Sequence, residues 1–500
     1  MGIVIKQSIN NTITTYIGFV LGAINVLFLY TYFLSDEYHG LLAFIISTAT
    51  IMLPFISLGT HNAIIKFYSS YINKTDKDSF ISVMLIVPLL SVIILTAIGI
   101  TSMDFIKLIL PTNQFLTETN IWVIIVTAIS FAYFEVFYSL VKVKLISVFG
   151  NFLKEIFHRV LISILLIFIY FELINEQEFI LSVLSIYVFR TLIMMIYAIR
   201  YNPFVFKITM PKNSFLIFKY LFIICLAGAV ANIVLEIDKF MIAQYLDISK
   251  VAYYSVAIYI STLITVPRRS LFQIANPLSA KLLNEKKFTE LGILYRKSSL
   301  NLLIVCGFVF LLIVFNLNDI YSFIPENYKQ GYNIVLIISF TKIYNAFLGN
   351  VDGIIFNSIY YSKIVFIGVL ITIVTVYLNY LLIPLYGLEG AAISSFLAIC
   401  LYNSIKVYTV YLKFNLHPVT KNSFKIGLII LIGFLTSFYF ELDFSNYLNI
   451  IVKTLFVIII YTFIILYFNV SVDIKNLYNK YISKLKNLAN TKMWFCKVSN

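Results

Sequence analysis

The sequence predicts an all-α integral membrane protein of about fourteen transmembrane helices. They form two six-helix lobes, related as a parallel pseudo-repeat, plus two additional C-terminal helices. Three observations carry this. Of the 500 residues 61% are hydrophobic and 12% charged, where soluble domains average about 25% charged, and the mean hydropathy is +0.93. Apolar runs of 17–22 residues recur along the chain, each long enough to cross a bilayer. Charge, finally, alternates from one intervening loop to the next.

The runs of the first half are 12–33, 40–58, 81–100, 120–140, 155–171 and 179–198. Run 12–33 is too long for a cleavable signal peptide and lacks a small-residue cleavage site, so it is expected to stay as the first helix. The second half gives 215–235, 251–267, 299–316, 332–350, 364–383 and 390–411, followed by 424–440 and 448–468. The short runs 251–267 and 424–440 need local thinning of the bilayer or flanking side chains that reach water. Pro54, Pro88 and Pro267 fall within or at the end of runs. Each removes a helical hydrogen bond and kinks its helix, as a packing irregularity or as a hinge.

Orientation follows from the loops. Residues 1–11, 59–80, 141–154, 199–214, 268–298, 351–363, 412–425 and 469–500 hold 27 of the 37 Lys and Arg. The alternate set, 34–39, 101–119, 172–178, 236–250, 317–331, 384–389 and 441–447, holds 4 of them but 15 of the 23 acids. By the positive-inside rule both termini are cytoplasmic. The net charge of +14 is therefore a topology signal and implies no nucleic acid. The basic stretch 469–500 is expected along anionic lipid headgroups. No loop could house a catalytic domain. The longest internal one, 268–298, is basic with leucines interspersed, as in a helix lying on a membrane surface.

A hint of duplication supports the lobes. Ala43-x-x-Ile46-Ser47-Thr48 with Pro54 is echoed by Ala257-x-x-Ile260-Ser261-Thr262 with Pro267, a pattern of parallel repeats about an axis along the membrane normal. The expected organisation is an N-terminal lobe 1–214, a C-terminal lobe 215–411, helices 412–468, and a cytoplasmic tail 469–500. Cys225, Cys306, Cys400 and Cys496 are scattered, as are His39, His61, His158 and His417. No spacing suggests a metal or redox centre, and no cofactor is expected.

Six basic residues interrupt the runs: Arg159, Arg190, Lys219, Lys342, Lys406 and Lys453. An ion at the bilayer centre costs about 2.5–3.5 kcal/mol on insertion scales, so it usually faces a wet cavity or a partner. Arg190 and Lys342 are near mid-run, one in each half. They mark either a path for an anion or internal ion pairs. Arg159 lies one turn into its run, either at a cavity mouth or paired with Glu155 at i,i+4. Lys219, Lys406 and Lys453 are close enough to helix ends to snorkel. Glu135 is either a coupling-proton site or a partner for a neighbouring base such as Lys142. The 36 Tyr suit sugar stacking and interfacial belts alike.

Several segments resemble a known family. Asn379-Tyr-Leu-Leu-Ile-Pro384-Leu-Tyr-Gly387-Leu-Glu-Gly390-Ala391-Ala392-Ile-Ser394 is similar to the LN-x-x-LIP-x-x-G-x-x-GAA-x-x-T signature of polysaccharide flippases, with Ser394 or Ser395 near the usual Thr. Ile237-Asp238-Lys239-Phe240 through Val251-Ala252-Tyr253-Tyr254-Ser255-Val-Ala257 resembles their D-[KR]-x…G-x-Y-S-x-A pattern, with Ala252 where Gly is common. Ser57-Leu58-Gly59 through Ala63 to Lys66-Phe67 resembles LG-x-x-x-A-x-x-[RK]-[FY], and Glu37-Tyr38-His39-Gly40 loosely matches their x-Y-G turn. These matches cover about four-fifths of the chain.

The resemblance is to Wzx-type oligosaccharide flippases of the multidrug/oligosaccharidyl-lipid/polysaccharide exporter superfamily. It implies two six-helix lobes around a central cavity in a bacterial inner membrane. The implied activity is transfer of a polyprenyl-pyrophosphate-linked oligosaccharide, for O-antigen, capsule or exopolysaccharide, with polymerase and other assembly proteins as partners and H+ or Na+ as a coupling ion. Arg190, Lys342, Arg159 and Lys66 would then meet the pyrophosphate, and Glu135, Asp238 and Lys239 would couple or gate; Lys66 also reads as a plain cytoplasmic anchor. The alternatives are a multidrug exporter of the same fold, disfavoured by the central bases, and a membrane glycosyltransferase or polymerase, disfavoured by the short loops.

Overall fold

The computed structural model describes residues 2–101, 118–207, 209–211 and 213–471, all helix and connecting loop with no strand among them. Helix α1 runs Gly2–Ile24 and continues through a π turn, Asn25–Leu29, into Tyr30–Phe33. It is followed by α2 (Asp36–Ser57), α3 (Lys74–Thr101) and α4 (Glu118–Lys142). Helix α5 begins as Val148–Phe152, passes a second π turn, Leu153–Phe157, and ends as His158–Tyr170. Then come α6 (Glu176–Tyr201), α7 (Ser214–Tyr245), α8 (Ile248–Thr262), α9 (Phe288–Ser322) and α10 (Tyr332–Phe347). Helices α11 and α12 share Tyr361–Phe414, whose backbone breaks at Gly387 (φ 57°, ψ −132°). Helices α13 (Lys421–Ser437) and α14 (Asn446–Tyr467) follow, and the unnumbered helices Thr60–Phe67, Val266–Asn284 and Val351–Phe356 lie in the connections.

Every expected apolar run falls on one of these helices. Ten helices of the described residues are long and apolar enough to cross a membrane. One of them, Tyr361–Phe414, carries two of the expected runs. Helices α10 and α13, at 16 and 17 residues, and the last leg of α5, at 13, are shorter and carry three more. The chain is thus an all-α, multi-pass membrane protein. Most of the expected outer loop 101–119 and of the basic tail 469–500 lies outside the described residues, as does Cys496.

Local chemistry explains the breaks. Helix α2 ends on two successive left-handed residues, Leu58 (φ 44°) and Gly59 (φ 73°), a conformation glycine adopts without a Cβ penalty. A Cβ on Gly59 would also come 2.8 Å from the Ile224 side chain. Helix α6 opens with a capping box in which Asn175 and Glu178 each accept a backbone N–H from the other, satisfying two orphan donors.

The described residues pack into two groups. One falls within Met1–Ile260, Phe323–Ile338 and Tyr360–Tyr402, the other within Ser261–Ser322, Ser339–Ile359 and Asn403–Asn500, each counting the described residues alone. In the first, α2 packs against α4 and α7. Ala49, Ala128 and Ala132 are fully buried there beside Ile56, small residues that let membrane helices approach closely. Gly40 serves the same purpose, since a Cβ on it would lie 2.0 Å from the Ile248 carbonyl oxygen. Ser47 and Ser261, equivalent in the proposed duplication, are both 0% exposed.

In the second group α9 carries α13 and α14. Gly307 makes room for Ile430, and Tyr461 Oη donates to the Ile304 carbonyl at 2.8 Å. Lys453 lies 2.7 Å from Asp319, with both side chains buried. Lys406 lies 2.9 Å from Asp352. These two lysines therefore do not snorkel, as their places near helix ends suggested. Each bends instead to a carboxylate on another element, which the spacing of one helix cannot reveal.

Candidate functional site

The first packing group gathers most of the candidate residues. The two π turns meet at Arg159. Asn25, in the first turn, donates to the Arg159 carbonyl at 3.0 Å and accepts from Ser163 Oγ at 2.6 Å. Such turns widen a helix by one residue and often mark functional positions. Arg159 Nη1 lies 3.0 Å from the Glu155 carbonyl and 3.3 Å from its carboxylate, so the i,i+4 pair is present. Across from it, α1 offers only glycine: a Cβ on Gly18 would lie 2.7 Å from Arg159 Nη1. A Cβ on Gly22 would lie 2.6 Å from the Tyr259 hydroxyl, which itself donates to the Phe19 carbonyl at 2.7 Å. Arg159 is thus held where α1, α5 and α8 converge.

Arg190 is 6% exposed. Its guanidinium carbon lies 4.3 Å from the Phe134 ring centroid, 5.0 Å from Tyr187 and 5.5 Å from Phe131. Ring quadrupoles attract a cation, more so when it is desolvated, but they do not neutralise it. Its Nε has no hydrogen-bond partner, and among the described residues no carboxylate comes within ion-pair distance. The His158 ring lies 5.7 Å from Tyr187, and its Nδ1 is also unpartnered.

One turn along α4, Glu135 faces two lysines. Lys154 Nζ approaches Oε1 at 2.5 Å and Lys142 Nζ approaches Oε2 at 3.7 Å. Lys142 also sits 3.8 Å above the Tyr138 ring. Lys142 is the partner the sequence suggested; Lys154, on the π turn of α5, is one it did not.

Asp238, on α7, is 3% exposed. Its carboxylate accepts from Tyr254 Oη and Ser395 Oγ, each at 2.5 Å, and from Asn379 Nδ2 at 2.8 Å. The Asn379 amide oxygen beside it has no partner. Lys239 turns instead to Glu236, at 2.8 Å on the same helix. Lys66 lies 4.0 Å over the Tyr220 ring.

Lys342 belongs to the second packing group, where it is half-buried on α10. That group also contains a pair not anticipated as a site. Arg268 and Lys406 converge on Asp352 at 2.8 and 2.9 Å, with the Arg268 guanidinium 4.5 Å from the Phe272 ring. Burial pushes the Asp352 carboxyl up, but Lys406 and Arg268 outweigh it and hold the group below its ordinary range. The available signal was Asp352 itself, the sole acid of loop 351–363 in the set that holds most of the Lys and Arg.

Comparison with known proteins adds the following. A family model described as polysaccharide biosynthesis protein matches residues 4–283. Among curated proteins, a sequence search finds no match. The fold is similar to that of the lipid II flippase MurJ in an inward closed conformation (TM-score 0.72, 17% identity, covering 93% of this chain and 100% of that one). It is also similar to a MATE protein in complex with MaL6 (TM-score 0.58, 12% identity, 83% and 96% covered). A MOP-superfamily transporter from Pyrococcus furiosus matches with a TM-score of 0.56, 14% identity, and 83% and 95% covered.

Proposed function

We propose, from the premise that the chain belongs to the polysaccharide biosynthesis protein family, that it is a lipid-linked oligosaccharide flippase. It moves a polyprenyl-pyrophosphate-linked oligosaccharide from the cytoplasmic to the outer leaflet of a bacterial plasma membrane by alternating access. The product feeds a surface polysaccharide such as O-antigen, capsule or exopolysaccharide, handed on to polymerase and assembly proteins. The observation that carries this reading is Arg190: a buried cation in a membrane-spanning helix, ringed by aromatics and unmatched by any carboxylate among the described residues. Such a residue is costly to the fold alone and suits a ligand that brings its own negative charge. The fold shared with a lipid II flippase supports the same substrate class.

The pyrophosphate is held by charge-assisted hydrogen bonds, for which the arginine fork provides paired donors and lysine a point charge. Arg190 and Arg159 serve the N-terminal lobe (1–214), Lys342 the C-terminal lobe (215–411), and Lys66 the cytoplasmic approach. Glu135, Asp238 and Lys239 couple or gate the cycle. Asp238 is the best placed for an ion: a proton or Na+ there would take over the charge its three donors now share, loosening the contact of α7 with α11 and α12.

The test is analysis of lipid extracts and surface glycan from a strain lacking the gene. Accumulated polyprenyl-pyrophosphate oligosaccharide with loss of surface polymer is the expected result. Normal lipids and glycan, with altered resistance to organic cations, would instead assign the protein to drug export. Replacing Arg190 by Gln is expected to abolish rescue at normal membrane levels of protein.

A further inference from the structure

We infer that Lys142 and Lys154 form a diphosphate-binding subsite at the cytoplasmic end of α4 and α5, in which Glu135 holds the place of the substrate anion until it arrives. This rests on the flippase reading and adds to it a station before Arg190.

The argument begins with stoichiometry. One carboxylate serves two ammonium groups, Lys154 at 2.5 Å and Lys142 at 3.7 Å, so the cluster keeps a surplus positive charge. The lysines are the accessible members: their side chains are 43% and 33% exposed, whereas that of Glu135 is 16% exposed. An ordinary buried ion pair hides both partners. Here the anion is tucked behind and the cations face outward, the arrangement needed for an incoming anion to reach them first.

Geometry adds a second argument. Glu135 presents its two oxygens to two separate ammonium groups, which is also how two phosphoryl groups of a diphosphate would use them. The elements packed around it supply further bases and, among the described residues, no other acid in ion-pair contact. Lys142 comes from its own helix, Lys154 from the π turn of α5, and His61 lies within electrostatic reach from the short helix Thr60–Phe67. Two buried nitrogens of the neighbourhood, His61 Nδ1 and Arg190 Nε, have no hydrogen-bond partner. Phe134, the residue next to Glu135 on α4, carries on its ring the guanidinium of Arg190 from α6, so an anion released from the lysines has its next cation on the neighbouring helix.

A placeholder differs from a structural ion pair in the sign of one mutation. If Glu135 competes with the ligand, removing its charge strengthens binding; if it only positions the lysines, removing it weakens binding. The experiment titrates inorganic pyrophosphate, with inorganic phosphate as comparison, into the full-length protein in lipid nanodiscs. Glu135→Gln is expected to bind pyrophosphate about tenfold more tightly than wild type, and Lys154→Gln about tenfold less, the scale of one hydrogen bond to a charged group. Pyrophosphate is expected to bind more tightly than phosphate in wild type, and this preference is lost in Lys142→Gln.

Unchanged or weaker binding by a correctly folded Glu135→Gln protein overturns the proposal. Should that variant not fold, Glu135→Asp, which shortens the reach by one methylene, is expected to tighten binding several-fold on the same grounds, and no gain there overturns it equally. The parent reading fails separately. Accumulated lipid-linked oligosaccharide in the deletion strain, with wild-type pyrophosphate affinity in Lys142→Gln and Lys154→Gln, removes the subsite and leaves the flippase. Normal lipids in that strain, with the affinity changes as stated, do the reverse.

Discussion

Asn379 donates a 2.8 Å hydrogen bond to Asp238 across 141 residues of sequence. Two segments that look independent along the chain thus converge on one carboxylate, which Ser395 and Tyr254 also reach. The Asp of the first motif and the Asn of the second are two halves of one buried polar knot.

Asp238→Asn keeps the shape of that knot but turns a charged acceptor into a neutral amide facing an amide and two hydroxyls. Hydrogen bonds to charged groups are worth about 1.5–3 kcal/mol each, so both stability and transport are expected to fall. Asn379→Asp sets a second carboxylate 2.8 Å from the first and is expected to be the worse of the two. Thermal unfolding in detergent alongside complementation of surface polymer measures both; a silent Asp238→Asn would reduce the knot to packing.

The Asp319–Lys453 pair, buried between α9 and α14, gives a sharper test of energetics. Removing one partner of a buried pair costs about 3–5 kcal/mol, because a lone charge remains, whereas replacing both is often neutral. Lys453→Met is therefore expected to destabilise strongly and Asp319→Leu combined with Lys453→Met to recover most of the loss. Additive losses in the double variant would contradict this.

Gly40 and Gly427 form a contrast. Alanine at Gly40 places a methyl 2.0 Å from the Ile248 carbonyl, whereas at Gly427 nothing lies within 4 Å. Gly40→Ala is expected to lower folded yield and transport by forcing α2 from the start of α8. Gly427→Ala, in mid-helix, is expected to be neutral or to gain about 1 kcal/mol from helix propensity. Equal effects at the two positions would argue against the close approach.

Burial holds the His61 imidazole below its ordinary value. In the folded protein it stays neutral at a pH where the unfolded chain has already taken up a proton. Its contribution is therefore complete above the unfolded value, about 6.5, and is lost as pH falls from there toward the folded value. The unfolding temperature is expected to drop less between about pH 7.5 and about pH 5.5 in His61→Gln than in wild type. An identical drop in the two proteins would refute it.

Much of this architecture was legible from composition because the bilayer admits few solutions: an apolar run of the right length must be a helix. Hence all fourteen runs fall on helices, even 251–267 and 424–440. The end of α2 was likewise visible, since run 40–58 stops there, but not the left-handed backbone of Leu58 and Gly59. Pairings between helices were not. Glu155–Arg159 could be read from i,i+4 spacing, but Lys154–Glu135 depends on a π turn that shifts the face of α5, and sequence carries no simple mark for it. Lys406 and Lys453 were misjudged for a related reason. Depth along a run says whether a lysine can reach water, not whether a nearer carboxylate waits on another helix.

The Asp319–Lys453 pair also sets an order of events. The two residues are 134 apart in the chain, and at ribosomal speeds of about 5–20 residues per second the acid precedes its partner by roughly 7–27 s. Through that interval α9 is already made and its carboxylate lacks the ammonium it meets in the complete fold. The arrival of α14 brings the lysine that pairs with it, so α14 acts as a seal on α9. A chain interrupted before residue 453 lacks the partner that Asp319 has in the complete fold.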